Sequence, residues 1–532
     1  MKQRFYIVAL LLIFAVAFAQ ANPRVVVNIV VSGLGQNDIS RYEKNFGKEG
    51  FLRLRRGGTE FTECYANYAP TTSEAGLATI ATGTLPSMHG IFSSVVFDRS
   101  SNKFSVLCQK TGSEQTAAAG KKVERGYTTQ HFSMQTLSEA VLAFSPKNRA
   151  ITIAHEPTSA MILTGKKGEC YWINNSGKWT SADCYMTELP AWVQKSNSDD
   201  INLRFATDVW YGRYIRGNYL NTHTTDILVY NQNESHRHRT QRKGFDGWVG
   251  KLLSSPSGNL AIFEFAKRAV THILSLKEDE GVTMLTVCLD VPRTVAEKYG
   301  SNSIEYEDML YSLDTSLADF ISFIYAQIPQ QNEAAIVLTS DSGIAVTERK
   351  NSDLNRFNTR QFEIIMNAFL SARYGQDAWI LGYADGSMYL NHDVIYSHKK
   401  SLAEVQNELA DFALQYRGVM AVSTATGMRS AQFSSGILAL VQNGYNHRRS
   451  GDVVIVLEPE RIETDTKRVS MSGSAYSYDR HVPFVIYGAG VAVKEVAERV
   501  STEHIASTLA YLMGVNKPLC SEVEALELEK KR

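Results

Sequence analysis

Arg24 to Val31 reads RVVVNIVV, a nearly continuous apolar, β-branched run that predicts a central parallel strand buried on both faces. Ser32-Gly33-Leu34-Gly35 follows as a loop, and Asp38 to Phe46 is patterned as the next helix. Further strands are predicted at Arg149–Ala154, Ser159–Leu163, Thr283–Leu289, Ala335–Leu338 and Val453–Leu457, with a two-strand patch at Trp379–Leu390 and a last core strand at His481–Ile486. Between them the spacing predicts helices over Leu137–Phe144, Leu260–Leu276, Glu305–Tyr325, near 360–374 and 402–415, and over His504–Met513. This strand–helix alternation, with no evident internal repeat, argues for an α/β sandwich with a mostly parallel sheet. In open α/β sheets the functional loops lie past the carboxyl ends of strands, which directs attention to Ser32 and to Asp341.

The stretch Pro70 to Gly90, PTTSEAGLATIATGTLPSMHG, organises the rest. A Pro-bounded turn leads, from Ser73, into a short helix in which Ala75, Gly76, Ala78 and Ala81 are small enough to press against a sheet. Ser73 stands in the first turn, its hydroxyl beside free backbone N–H groups, where hydroxyl nucleophiles and anions are often held. The same geometry suits an ordinary Ser N-cap.

The polar stretches change the picture less. Residues 160–257 are read as an accessory elaboration beside the sheet. Within it, NQNESHRHRTQRKG (231–244) alternates His with Arg, which repels cations and predicts a solvated loop. Lys2 and Arg4, the apolar FYIVALLLIFAVAF and the small-x-small Ala19-Gln20-Ala21 predict a signal peptide over 1–21, with the mature chain beginning at Asn22 and bound for the periplasm or the exterior. No later stretch is long and apolar enough to span a bilayer. The 532 residues carry 55 acidic and 55 basic side chains, so nucleic acid, which calls for a basic excess, is not expected as a partner.

Six Cys are compatible with disulfides after export. Cys170 and Cys184 flank YWINNSGKWTSAD, with a turn signal near its middle, and are expected to bridge a β-hairpin. Cys288 reads as a buried thiol; Cys64, Cys108 and Cys520 give no pairing argument. Without a CxxC, neither a thiol redox site nor a Cys-based zinc site is supported. Tyr171, Trp172 and Trp179 on the hairpin suit either a sugar-binding surface or a half-buried strand pair.

APTTSEAGLATIATGTLPSMHGI (69–91), VLTSDSG (337–343), SGSAYSYDRHVPFVIYG (472–488) and HIASTLAYLMG (504–514) together resemble the alkaline phosphatase superfamily, in its branch of single-chain bacterial phosphatases related to type I phosphodiesterases and nucleotide pyrophosphatases. The resemblance implies an alkaline-phosphatase-like three-layer α/β sandwich over 22–532. It also implies two zinc ions held by Asp and His, a Thr or Ser nucleophile, and hydrolysis of phosphate esters. On that pattern Ser73 takes the nucleophile position. Ser32 stands for the Asp after the first strand, and Asp341-Ser342 for a paired Asp-His. Arg293 and Glu297 stand for an Asp-x-x-x-His pair, and Ser472 for the final His. Ser94 replaces a phosphate-supporting Asn, Glu156 and Thr158 replace a phosphate-binding Lys-x-Arg, and Leu77 replaces the His four residues past the nucleophile.

Physically these replacements remove the chemistry. Neutral Ser is a poor zinc ligand beside imidazole or carboxylate, and Arg293 carries a permanent charge where a divalent cation should stand. A Ser hydroxyl without a metal or base is a weak nucleophile. The expectation is an exported pseudo-phosphatase without a cofactor, catalytically inactive, serving as a binding or structural component among envelope or secreted protein partners. The alternative is a divergent phosphate or sulfate ester hydrolase or transferase using Ser73, with Asp341 and Glu297 on a divalent ion and Asp38 and Asp290 as spare carboxylates that match no ligand of the family pattern. His89 and His481 are expected to be buried structural histidines.

Overall fold

The computed structural model describes residues 22–110, 123–124, 126–207, 209–214, 216–221, 237–239, 248–276, 281–328, 330, 332–346, 356–463 and 468–530. The leader 1–21 lies outside them, as does most of the tract 231–244.

The strands of the main sheet are β1 (Val25–Val31), β2 (Thr59–Phe61), β3 (Arg149–Ala154), β4 (Glu169–Ile173), β5 (Trp179–Thr180), β6 (Thr283–Leu289) and β7 (Ala334–Thr339). A smaller sheet follows, made of β8 (Ile380–Ala384), β9 (Ser387–Leu390), β10 (Val419–Thr424) and β11 (Val453–Leu457), before β12 (Phe484–Gly488) and β13 (Lys494–Val496) complete the large one. The nine-stranded sheet runs β13-β2-β12-β7-β1-β6-β3-β4-β5. Its centre, from β7 through β1 and β6 to β3 and β4, is parallel.

Why β1 sits in the middle follows from its sequence. Val25, Val27, Ile29 and Val31 point into one apolar core and Val26 and Val30 into the other. Each aliphatic side chain so withdrawn is worth about 1.5–3 kcal/mol over leaving it exposed. Helices Pro256–Ser275 and Ile304–Gln327 cover the first core. The second is covered by α1 (Ser73–Thr82), α2 (Pro157–Thr164) and helices Leu137–Phe144 and His504–Met513. The smaller sheet, antiparallel in the order β8-β9-β11-β10, has its own core with helices Thr359–Tyr374 and Leu402–Ala413.

Several expectations need correction. Ser159–Leu163 is not a strand but lies in α2, which Pro157 opens at its first position; a short apolar run does not by itself separate a buried helix from a buried strand. The 481–486 strand begins only at Phe484, is antiparallel to β7, and is followed by β13 at the sheet edge. The β4–β5 hairpin forms, but its register sets Trp172 against Thr180. Extending that register would put Ala182, not Cys184, opposite Cys170. The paired strand in any case ends at Thr180, before Cys184, and Cys170 and Cys184 are free thiols, as are the other four cysteines. Tyr171, Trp172 and Trp179 are buried, with Trp179 stacked on Phe265 at 3.9 Å, which removes them as a sugar-binding surface. Among the described residues no helix is long and apolar enough to cross a membrane.

Candidate functional site

The neighbouring parallel strands β7, β1, β6 and β3 end on one edge of the sheet. Within two residues of each end stands a member of one polar centre: Asp341, Ser32, Asp290 and Glu156. The Asp341 side chain is fully buried and both its oxygens are occupied. Oδ2 accepts from the Ser32 hydroxyl at 2.5 Å and from the Ser73 hydroxyl; Oδ1 accepts from the backbone N–H of Gly33 at 3.1 Å and of Ser342 at 2.7 Å. The Ser32 and Ser73 oxygens are 3.3 Å apart.

Ser73 reaches this carboxylate because α1 lies directly on the β7 loop. A methyl group at Gly76 would stand 2.0 Å from the Asp341 carbonyl oxygen, so only glycine permits that approach. Ser73 is not the N-cap. Thr72 is, its Oγ1 accepting from the Ala75 N–H at 3.2 Å, which leaves the Ser73 side chain to Asp341.

Arg293 enters from α3 (Val291–Tyr299), with 14 % of its side chain exposed. Its Nε donates to Ser32 Oγ at 3.1 Å, and its terminal nitrogens lie 3.4 Å from Asp290, 3.5 Å from Glu156 and 3.7 Å from Glu297. Burial would lower its pKa, but Glu156, Glu297, Asp290 and Asp341 together hold it well above the usual value. Burial pushes Asp290 up to about 7, with the charge of Glu156 adding to it and Arg293 opposing. Glu74, next to Ser73, also rises to about 7, through burial and then the charge of Asp385.

The structure thus brings together Ser32, Ser73, Asp341, Ser342, Arg293, Glu297 and Glu156. It does not bring in every position. Ser94 is exposed, and its neighbour Ser93 bonds Asp385 instead. Thr158 is a half-buried residue in the first turn of α2. Ser472 does not bond the Asp341 centre but flanks it, lining a cavity of about 80 Å³ with Thr72, Asp385, Glu463 and Asp479, and the Thr71 hydroxyl donates to the Ser474 carbonyl at 2.6 Å; the Ser342 Oγ is buried without a partner among the described residues. Leu77 is core. His89 is buried and bonded to Thr79 and the Ile91 N–H, with burial taking its pKa down to about 3. His481 bonds the Thr62 carbonyl and stacks on Tyr65. Asp38, a spare carboxylate in sequence, is tied to Tyr306 and the Gly35 N–H. Asp290, the other spare carboxylate, does join the centre, 3.4 Å from Arg293 and bonded by the Ser159 hydroxyl at 2.8 Å. Its place directly after an apolar strand, like Ser32, was the signal for it.

The family model of type I phosphodiesterases / nucleotide pyrophosphatases matches residues 26–470. The chain belongs to this family. Among curated relatives of this phosphodiesterase-family chain, the alkaline phosphatase PafA of Elizabethkingia meningoseptica is 24 % identical over 511 residues, covering 94 % of this chain and 93 % of the relative. A calcium-transporting ATPase of Myroides odoratus is 25 % identical over 511 residues, with 93 % and 92 % covered. The crystal structure of wild-type PafA superposes with a TM-score of 0.84 at 21 % identity, covering 96 % of this chain and 99 % of that one. The large sheet and its order are therefore the alkaline-phosphatase-like fold.

Proposed function

We propose that this family member is an exported pseudo-phosphatase, a binding or structural component of the periplasm or cell envelope that no longer hydrolyses phosphate esters. The observation that carries this reading is Arg293, whose Nε lies 3.1 Å from Ser32 Oγ, beside the Ser73–Asp341 hydrogen bond. Two zinc ions would need carboxylates and imidazoles, and the side chains here do not fit them. Asp341 already accepts five hydrogen bonds, from the Ser32, Ser73 and Ser340 hydroxyls and the Gly33 and Ser342 N–H groups, Ser32 and Ser342 are neutral hydroxyls, and Glu297 is shared between Arg293 and Arg468 at 3.7 and 3.5 Å. A guanidinium offers no lone pair and holds its charge at any working pH, so it supplies the positive charge of a metal without its coordination chemistry. Glu156 adds a negative charge where an ester phosphate would need cations.

The alternative hydrolase, with a divalent ion on Asp341 and Glu297, loses support from the same contacts. The deciding experiment is zinc content by mass spectrometry of the purified chain, with phosphomonoester and phosphodiester assays in added zinc. Substoichiometric zinc and no Ser73-dependent turnover are expected. Two zinc ions per chain, with turnover abolished by Ser73→Ala, overturn the proposal. Export is tested separately, by finding Asn22 at the amino terminus of the protein recovered from its source cells.

A further inference from the structure

Away from Ser73, the hairpin formed by Val95–Asp98 and Lys103–Val106 meets the smaller sheet, and a groove of about 670 Å³ opens there. That volume is in the range of ligand sites, which favour such junctions. Segments distant in sequence line it, and it contains Arg99, Arg429, Arg448 and Arg449 against Asp98 and Asp452. The chain as a whole is neutral, so this excess is local.

The two aspartates do not neutralise it evenly. Asp452 is buried and already engaged, by Arg99 at 2.9 Å, His392 at 2.8 Å and the Leu390 N–H at 2.8 Å. Asp98 is exposed and folded back onto Ser100 and Ser101. Arg429, Arg448 and Arg449 make no ion pair among the described residues. Arg449 is only partly exposed and donates to two carbonyls, Gly90 at 3.1 Å and His131 at 2.7 Å. A guanidinium withdrawn from water onto neutral acceptors is incompletely compensated, and an incoming anion would offset that cost. Beside these cations Tyr396 stands 58 % exposed in the same groove, and Tyr445 lines it too. An exposed Tyr ring offers a rigid, amphipathic face at low entropic cost.

We propose that this groove binds an acidic oligosaccharide, whose sugar rings pack on Tyr396 and whose carboxylate or sulfate groups pair with Arg429, Arg448 and Arg449. Arginine suits both groups, because its planar fork meets a carboxylate or a sulfate through two parallel hydrogen bonds. The cations and the aromatic face together favour a chain carrying rings and repeated charges over a bare polyanion, which leaves Tyr396 uncovered. The assignment holds whether or not Ser73 turns over an ester, so the zinc and hydrolysis assays can fail without touching it.

The test is calorimetric titration of the full mature chain with a heparin-derived sulfated tetrasaccharide, tetragalacturonate, neutral maltotetraose, AMP and inorganic polyphosphate, at low and physiological ionic strength. One or both acidic sugars should bind, more weakly as salt rises, and maltotetraose should not; the sulfated and uronic arms identify the anion. Arg429→Ala with Arg448→Ala alters two exposed side chains and should weaken binding about tenfold or more, the equivalent of losing one charge-assisted hydrogen bond. Tyr396→Ala should weaken the sugars but not polyphosphate. The proposal is overturned if neither acidic sugar binds, if maltotetraose binds as tightly, or if the double variant binds like wild type. It is overturned equally if AMP or polyphosphate matches the acidic sugars and Tyr396→Ala changes nothing.

Discussion

Arg293 and Arg449 are both arginines largely withdrawn from solvent, and they are provided for in opposite ways. Arg293 lies within 3.4–3.7 Å of three carboxylates and donates to Ser32. Arg449 has two backbone carbonyls and no carboxylate partner among the described residues. The first is a cation consumed by the fold, with its charge spent on holding strand ends together. The second is a cation the fold leaves partly uncompensated. An arginine in a cleft therefore signals ligand binding only after its counter-ions have been counted.

The comparison breaks most sharply at Arg293. Arg293→Ala leaves Asp290 and Asp341 buried with no cation beside them and leaves Glu297 with Arg468 alone, and removing one partner of a buried ionic network costs about 3–5 kcal/mol. Glu156, with 46 % of its side chain exposed, contributes little to that sum. Urea unfolding at neutral pH measures it; a loss below about 1 kcal/mol would show that Arg293 is as dispensable as a surface charge. Gly76→Ala comes next. Its methyl would stand 2.0 Å from the Asp341 carbonyl oxygen, so α1 must withdraw, at about 1–3 kcal/mol for overpacking. The Ser73–Asp341 hydrogen bond should lengthen with it, visible in a crystal structure of the variant.

A smaller effect separates the two regions by pH. Burial raises Asp290 and Glu74 to about 7 in the centre, whereas in the groove Asp452, despite its burial, is held below the usual range by His392 and Arg99. A carboxyl whose folded pKa exceeds its unfolded one keeps a proton that the unfolded chain gives up, so stability falls as pH rises from about 4 through about 7. His89 and His155, lowered by burial to about 3 and about 4, act in the opposite sense, but both are neutral in the folded and unfolded chain above their ordinary 6.5. Between pH 6.5 and about 8 the carboxyls that burial raises to about 7, Asp290 and Glu74 together with Glu463, Asp479 and Glu503, act in one direction, and the melting temperature should fall. Asp290→Asn should flatten that fall, and Asp452→Asn should not.

What could be read from sequence follows the same division. The β1 strand was legible because its alternating valines had to face two cores at once, and Ser32, Ser73 and Asp341 converge because each follows or abuts a strand end in the central parallel sheet. Local chemistry was less decisive where two structures satisfy one pattern. Met161, Ile162 and Leu163 suit a buried helix or strand alike, and the Cys170–Cys184 spacing suited a hairpin that in fact closes at Trp179–Thr180, short of Cys184, with both cysteines left as free thiols. The groove had no legible signal. Arg99, Arg429 and Arg449 are far apart along the chain, and only the docking of the smaller sheet against the β-hairpin makes them neighbours.

The smallest expected effect is also the one that fixes the meaning of the groove. Arg429→Ala with Arg448→Ala should change unfolding free energy by less than about 0.5 kcal/mol, since both side chains are exposed and neither makes an ion pair among the described residues. Arg429 donates one hydrogen bond, to the Ala425 carbonyl of its own helix at 3.2 Å, and water can take its place there. Urea midpoints at low and high salt measure this. Unchanged stability with weakened binding means that these charges are held for a ligand. A loss of stability comparable to Arg293→Ala would mean that they brace the smaller sheet against the body, and the contrast between the two arginine sites would collapse.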